Sequence, residues 1–229
     1  ARDGADLVRI RAQGVPGVVT TREHPFYART YRERFPTLAD GRRRRERIWS
    51  TQEWVDAGGL TNRHVIGQVL PAIDASVEGN EEFWWLVGRY VADGWRVRRH
   101  DRGPESGRVV ICCATREAAD VAERIAAAGF NATRSDERTV VKFHITSCQF
   151  YRFLEKFGHK AHGKTLPACA MSLDQIRAAA LLNGYISGDG YRDDRAGYRR
   201  ITTVSKSLAL CVAALSQRAF GIVASVRRC

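Results

Sequence analysis

Two nonapeptides constrain this chain more than anything else in it: Leu86-Val87-Gly88-Arg89-Tyr90-Val91-Ala92-Asp93-Gly94 and Leu182-Asn183-Gly184-Tyr185-Ile186-Ser187-Gly188-Asp189-Gly190. Each is an apolar, helix-compatible run that ends in Asp-Gly. Each carries small residues four apart, Gly88 and Ala92 in one and Gly184 and Gly188 in the other. Residues at that spacing share a helix face, and two such faces can approach backbone to backbone. The pattern predicts two close-packed helices with Asp93 and Asp189 side by side at their C-terminal ends. Gly94 and Gly190 are expected in the left-handed conformation that commonly ends a helix.

A helix C-terminus exposes unpaired carbonyls and partial negative charge, a poor place for a carboxylate unless a cation is present. Asp93 and Asp189, with carbonyl oxygens at Gly94 and Gly190, make a hard-ligand set suited to Mg2+ or Mn2+. Two such sites side by side suit in-line attack on phosphodiesters. The nonapeptides resemble the paired motifs of LAGLIDADG homing endonucleases, with Leu, Gly, a small residue, Asp and Gly matching in register. The acids stand 96 residues apart, an interval similar to that of single-chain members with two repeats. The resemblance implies metal-dependent double-strand cleavage of a long DNA target by a monomer with an internal pseudo-twofold axis.

That family places a twisted antiparallel sheet from each half in the major groove, which physically admits a two-stranded ribbon. The resemblance therefore implies DNA contacts at Arg96, Arg98, Arg99, Arg108, Lys142, Arg192, Arg195, Arg199 and Arg200, with Tyr191 and Tyr198 beside them. Gly163-Lys164-Thr165-Leu166-Pro167, just before the second motif, is similar to the K-x-I/L-P stretch of intein-borne members. Its lysine is implicated in catalysis there, which makes Lys164 a third candidate catalytic residue. Near a phosphate, an ammonium can stabilise developing charge or organise proton-carrying solvent.

The totals agree with a polyanionic partner: the net charge is +12 and the pI about 9.9, and much of the excess is arginine, suited to phosphate and guanine edges. Six cysteines without C-x-x-C spacing point to a reduced, cytoplasmic setting. His159 and His162 with Cys148 and Cys169 match no common zinc spacing, so no zinc site is expected. No apolar run is long enough to span a bilayer, so no membrane partner is expected. Met171 is the only methionine, and the chain reads as an excised piece.

Residues 1–75 have a different character. Val8–Ile10 and Val18–Thr20 read as short strands. The order Thr21-Arg22-Glu23-His24-Pro25, then Trp54 to Leu60, resembles the N-terminal splicing region of an intein, the Hint fold. That resemblance implies that Thr21 and His24 polarise the peptide bond at the upstream junction. No nucleophile opens the chain and no His-Asn pair closes it, and a turn stabilised by local hydrogen bonds accounts for Thr21 and His24 equally well. Arg42–Arg45 reads as a solvated charge run.

From residue 76 the predicted order is helix, strand, strand, helix, strand, strand, helix. Helix one covers Glu81–Asp93, and hairpins lie around residues 95–113 and 130–145 with a turn at Ser135–Glu137. Thr115 is expected to cap the helix that Gly129 ends, and a further helix is expected over Ser147–Phe157. The order restarts at a helix capped by Ser172, continues through a hairpin from Tyr191 to Val204 and a helix from Ser205 to Gly221, and begins a further hairpin at Ile222–Val226. The expected fold is thus α+β: a mostly β, partial Hint-like region at 1–75, a first LAGLIDADG repeat at 76–171, and an incomplete second repeat at 172–229, expected to lack a strand and a closing helix. Two rival readings stay open. One is a cleavage-inactive nucleic-acid-binding module of the same fold, a maturase or regulator; the other is an intein fragment whose activity is protein splicing.

Overall fold

The computed structural model describes residues 6–12, 17–67, 69–98, 107–193 and 198–227, apart from the side chains of Arg192 and Asp193. The chain divides into two units, Ala1–Val69 with Ser225–Cys229, and Leu70–Ala224. Among the described residues no helix is long and apolar enough to cross a membrane.

The first unit is built of short strands. β1 (Leu7–Ile10) pairs antiparallel with β2 (Val18–Thr21). β3 (Pro25–Arg34) is the longest strand and holds β4 (Glu46–Trp49), β5 (Glu53–Asp56) and β6 (His64–Ile66) along its length. Thr21 ends β2, and the His24 N–H donates to the Thr21 carbonyl, so these two residues frame a tight turn between strands. His24 is exposed, with its ring edge-on to Phe26.

The second unit opens with α1 (Glu81–Asp93). The Asn80 side chain accepts the Phe83 N–H, and Glu81 and Glu82 occupy the positive end of the helix. Then follow β7 (Gly94–Arg98), β8 (Gly107–Ala114), α2 (Ala118–Ala127), β9 (Ala132–Asp136), β10 (Val140–Ile145) and α3 (Cys148–Phe153), which tightens into a 3-10 turn at Leu154–Phe157. Two short helices, α4 (Lys160–Gly163) and α5 (Ala168–Met171), lead to α6 (Gln175–Asp189). A two-stranded ribbon, β11 (Gly190–Asp193) with β12 (Tyr198–Ile201), and α7 (Lys206–Phe220) complete it.

The four-stranded sheet has the order β7-β8-β10-β9, all antiparallel. Cross-strand partners share a face. Val109, Ile111 and Cys113 of β8 therefore lie with Ile145, Phe143 and Val141 of β10, and all six are buried in the core with α1, α2 and α3. Trp84 and Trp85 belong to that core too, as do Phe150, Leu154 and Phe157 from α3 and its extension.

The closest packing is between α1 and α6. A Cβ on Gly88 would lie 1.9 Å from the Leu181 carbonyl oxygen, and one on Gly184 would lie 2.0 Å from that of Trp85. Each glycine therefore lets the opposite backbone into the space a side chain would take. Nearer the C-terminal ends of the two helices, a Cβ on Gly188 would meet Ala92 Cβ at 2.4 Å.

The structure corrects several sequence expectations. Gly94 and Gly190 are extended, with φ of −100° and −90°, and each starts a strand. Their glycine identity follows from space: a Cβ would sit 2.6 Å from Tyr90 Cα and 2.3 Å from the Ile186 carbonyl oxygen. Asp174, not Ser172, caps α6, because Ala168–Met171 forms its own turn of helix and Ser172 closes it. The segment Thr115–Glu117 is a 3-10 turn without a side-chain cap. The turn between β9 and β10 falls at residues 137–139 rather than at Ser135. Residues 222–227 form no strand.

Substituting Gly184→Ala forces the two helices apart, and overpacking of this kind costs about 1–3 kcal/mol or more. At roughly 2–4 °C per kcal/mol for a chain this size, scanning calorimetry should show the unit carrying α1 and α6 melting several degrees lower. Gly163→Ala, where a Cβ meets nothing within 4 Å, should leave the transition in place.

Candidate active site

Because α1 and α6 touch backbone to backbone, their C-terminal ends come together, and with them the acids. A Cβ on Gly188 would lie 3.0 Å from Asp93 Oδ2, so the carboxylate ending α1 rests over a glycine of α6, one residue before Asp189. Asp189 is exposed at the end of α6. Partial desolvation, first, and the negative charge of Asp93, second, raise its pKa above the ordinary carboxylate value, against Lys164 and Arg89, which lower it.

Two buried cations flank the acids from different directions. Lys164 is 6% exposed, and its Nζ donates to the Tyr90 carbonyl and, at 2.9 Å, to that of Gly94. These are last-turn carbonyls of α1, where a positive charge is favoured. The ammonium also lies 4.3 Å from the centre of the Tyr90 ring. Burial brings the Lys164 pKa down to about 8, and Asp189 and Asp93 pull the other way. Its backbone is anchored by Ser205, which caps α7 and whose hydroxyl donates to the Lys164 carbonyl at 2.6 Å. The Gly94 carbonyl, expected as a metal ligand, is thus engaged by an ammonium. A cleft of about 410 Å³ opens beside Asp189 and Lys164, lined also by Trp95, His159, Lys160 and Thr203.

Arg89 was missed by motif reasoning, although a single charge inside an apolar nonapeptide was its visible signal. It is 2% exposed. It donates to Ser187 Oγ at 3.2 Å, the Cys112 carbonyl at 3.2 Å and Glu117 Oε2 at 2.9 Å, and its Nη2 lies 3.8 Å from Asp93 Oδ2. One guanidinium therefore ties α1 to α6, to β8 and to the turn before α2. Its Nε has no partner among the described residues.

Strand parity sorts the proposed DNA contacts. Trp95, Val97, Arg108, Val110, Cys112, Lys142 and His144 share the sheet face opposite the helices. The imidazole of His144 is pushed below its usual pKa by burial, then by the charges of Arg108 and Lys142, so the positive charge of this face comes from the arginine and the lysine. Lys142 pairs with Glu137 and lies 6.0 Å from the Trp95 ring centre. Arg96 and Arg98 pair with Val109 and Gly107 on the helix side. Arg96 stacks on Tyr151 at 4.8 Å, donates to the Tyr151 carbonyl at 3.3 Å and is 3.6 Å from Glu155, so its alternation removes it from the DNA-facing set. In the second ribbon, Tyr191 and Arg200 are partners on one face, with Tyr198 on the same side. Arg199 turns to the helices, donating to Asn183 at 3.0 Å and lying 5.3 Å from the Phe220 ring centre. Arg99, Arg195 and the side chain of Arg192 lie outside the described residues. Among those described, no group of three or more His, Cys, Asp and Glu could hold a metal ion.

Comparison with known proteins bears on the second motif directly. Residues 177–229 match the family described as LAGLIDADG-like domain. No curated protein matches the chain. Among solved structures, I-DmoI in complex with DNA and Ca is similar at a TM-score of 0.42 and 14% identity, over 60% of this chain and 71% of that one. I-DmoI in complex with DNA and Mn is similar at 0.43 and 15%, over 60% and 76%.

The lowered pKa of Lys164 has a definite sign. Between pH 8 and the ordinary lysine value of 10.5, the unfolded chain holds a proton at this site that the folded chain has lost, so folding stability rises with pH in that window. In metal-free denaturant titrations, wild type should gain up to about 3 kcal/mol relative to Lys164→Met from pH 8 to 10.5. Equal slopes would contradict the buried ammonium. Separately, Arg89→Met strands Glu117 and Asp93 without their cation. Breaking a buried pair costs about 3–5 kcal/mol, and because Glu117 is partly exposed, urea unfolding should register a loss near the lower end of that range.

Proposed function

We propose that the Leu70–Ala224 unit is the nuclease part of an intein-borne LAGLIDADG homing endonuclease that cuts both strands of a long DNA target. The observation that carries this reading is the meeting of two carboxylates with a buried ammonium where two glycine-packed helices end. Asp93 and Asp189 would hold the divalent ion, Mg2+ or Mn2+. The fit is chemical: two neighbouring carboxylates, one with its pKa raised by desolvation and by the other, are hard oxygen donors that suit such ions, which keep waters and phosphate oxygens in their remaining positions. When bound, the ion supplies Lewis acidity and an activated water at the scissile phosphate.

The chain's own groups do the rest. Lys164, with a pKa near 8, can hold positive charge beside a phosphate or pass a proton near neutral pH. Arg108 and Lys142 supply the charge that meets the duplex in one half, and Tyr191, Tyr198 and Arg200 line the other ribbon. Phosphate contacts of this kind position the protein without reading sequence. In the intein reading the turn at Thr21 and His24 belongs to the splicing region, and the protein acts in the cytoplasm as a monomer.

A specific observation favours one rival, a binding module without cleavage. Arg89 already places a positive charge 3.8 Å from Asp93, where an ion would otherwise be needed.

A supercoiled plasmid carrying the uninterrupted host-gene sequence separates the two. With Mg2+ the wild-type chain should yield linear DNA. Asp93→Asn and Asp189→Asn should each slow cutting at least about 100-fold, the scale on which charge-stabilising groups act, while still shifting the duplex on a gel. Binding without any cutting by wild type would favour the regulator, and undiminished cutting by either variant would refute the assignment of the acids.

A further inference from the structure

The Ala1–Val69 unit has a face that the nuclease reading leaves unused. Along β3, residues alternate between the two sides of the sheet. Phe26 and Ala28 lie with Val55 and Ile66 on the covered side, where Ala28 is buried. Tyr27, Arg29, Tyr31 and Glu33 lie on the other, beside Trp54, Val65, Trp49 and Arg47.

That outer side is aromatic and cationic. The Tyr27 and Trp54 rings are 5.1 Å apart and those of Tyr31 and Trp49 are 5.2 Å apart. The Arg29 guanidinium lies 4.0 Å from the Trp49 ring centre, and that of Arg47 lies 4.6 Å from Tyr31. Trp54 is 70% exposed and Trp49 38%. The wet side of an antiparallel sheet is ordinarily polar, so two open indoles there call for a ligand with flat apolar faces. Tyr27 and Tyr31 are four residues apart on one strand, about 13 Å at roughly 3.3 Å per residue. That gap spans about four base steps at roughly 3.4 Å each.

Charge narrows the class. Residues 6–67 contain twelve arginines, no lysine and seven carboxylates. Glu33, the one carboxylate that β3 itself puts on this side, is already paired with Arg45 at its end, Asp56 of β5 shares the side opposite Pro25, and Arg42, Arg43 and Arg44 are exposed. A protein partner would need aliphatic or acidic surface matched to each ring pair. A duplex offers phosphates but hides its base faces, whereas unpaired bases offer both. We propose that this face binds single-stranded nucleic acid, with bases stacking on the Tyr27–Trp54 and Tyr31–Trp49 platforms and phosphates meeting Arg29, Arg47 and the Arg42–Arg45 loop. Base–aromatic stacking combined with arginine is a sequence-tolerant way to hold a single strand.

The test uses the full chain in EDTA, so that cleavage plays no part, and reads anisotropy of short fluorescein-labelled oligothymidylate, oligouridylate and a duplex. Trp54→Ala should weaken single-strand binding about tenfold, consistent with roughly 1–3 kcal/mol per stacked base, and Trp54→Phe should restore most of it. The exposed position leaves the melting temperature unchanged, which calorimetry checks. The tighter of the two single strands identifies DNA or RNA as the source. Asp93→Asn with Asp189→Asn should bind single strands as wild type does, so failure of the nuclease reading leaves this one standing. Wild-type single-strand affinity in a Trp49→Ala, Trp54→Ala double variant would overturn the proposal, as would a loss confined to the duplex.

Discussion

Everything chemical in this molecule follows from two helix backbones touching. Gly88 stands against the Leu181 carbonyl and Gly184 against that of Trp85, at distances no side chain permits. Dispersion is weak per atom pair and strong only when many atoms are in register, so a seam of this kind fixes the axial position of one helix against the other. The fixed seam puts both helix ends, and therefore both acids, at one level. The same approach creates an electrostatic problem. Two carboxylates and two negative helix ends are gathered in a partly buried place, where like charges repel more strongly than in water.

The solution to that problem is unequal between the halves. At the end of α1, Lys164 donates to the Tyr90 and Gly94 carbonyls from outside both helices. Arg89, by contrast, rises from within α1 and reaches across to Ser187 of α6 while holding Glu117. The matching position of the second nonapeptide is Tyr185, which brings no charge. One acid therefore has an arginine inside hydrogen-bonded architecture near it, and the other faces an open cleft with an amine whose proton is loosely held. Any ion at this centre meets two different environments, although the two motifs look alike on paper.

How much of this was readable beforehand depended on whether the cause was local. Helix α1 runs where its spacing puts it, and Ser205 caps the helix assigned to it, since capping and periodicity act within one turn. The conformation of Gly94 and Gly190 is not legible in the sequence because two different causes select glycine. One is positive φ and the other is lack of room, and only the fold reveals that Tyr90 and Ile186 crowd those positions. The cap of α6 is ambiguous for a similar reason: Ser172 and Asp174 are both good caps, and the short turn at Ala168–Met171 decides between them. Arg89 carries only half a signal in the sequence, because a charge in an apolar run is ambiguous until Glu117 and the Cys112 carbonyl stand beside it.

Counting arginines along a strand turns out to be a weak guide to what a sheet can bind, because strand geometry halves the count before any ligand arrives. In β7 the basic residues Arg96 and Arg98 occupy the same parity, and the register with β8 sends that parity toward the helices. Arg96 then spends its charge on Tyr151 and Glu155. What remains on the open side is Trp95, joined there by Arg108, Lys142 and His144 from β8 and β10. The second ribbon repeats the logic, keeping Tyr191, Tyr198 and Arg200 on one side while Arg199 turns to Asn183 and Phe220. Both sheets thus offer an aromatic ring directly after the motif glycine, Trp95 in one and Tyr191 in the other. A ring at that place does not depend on salt as a lysine would. Binding that rests on these rings should keep more of its strength at high ionic strength than the net charge alone suggests.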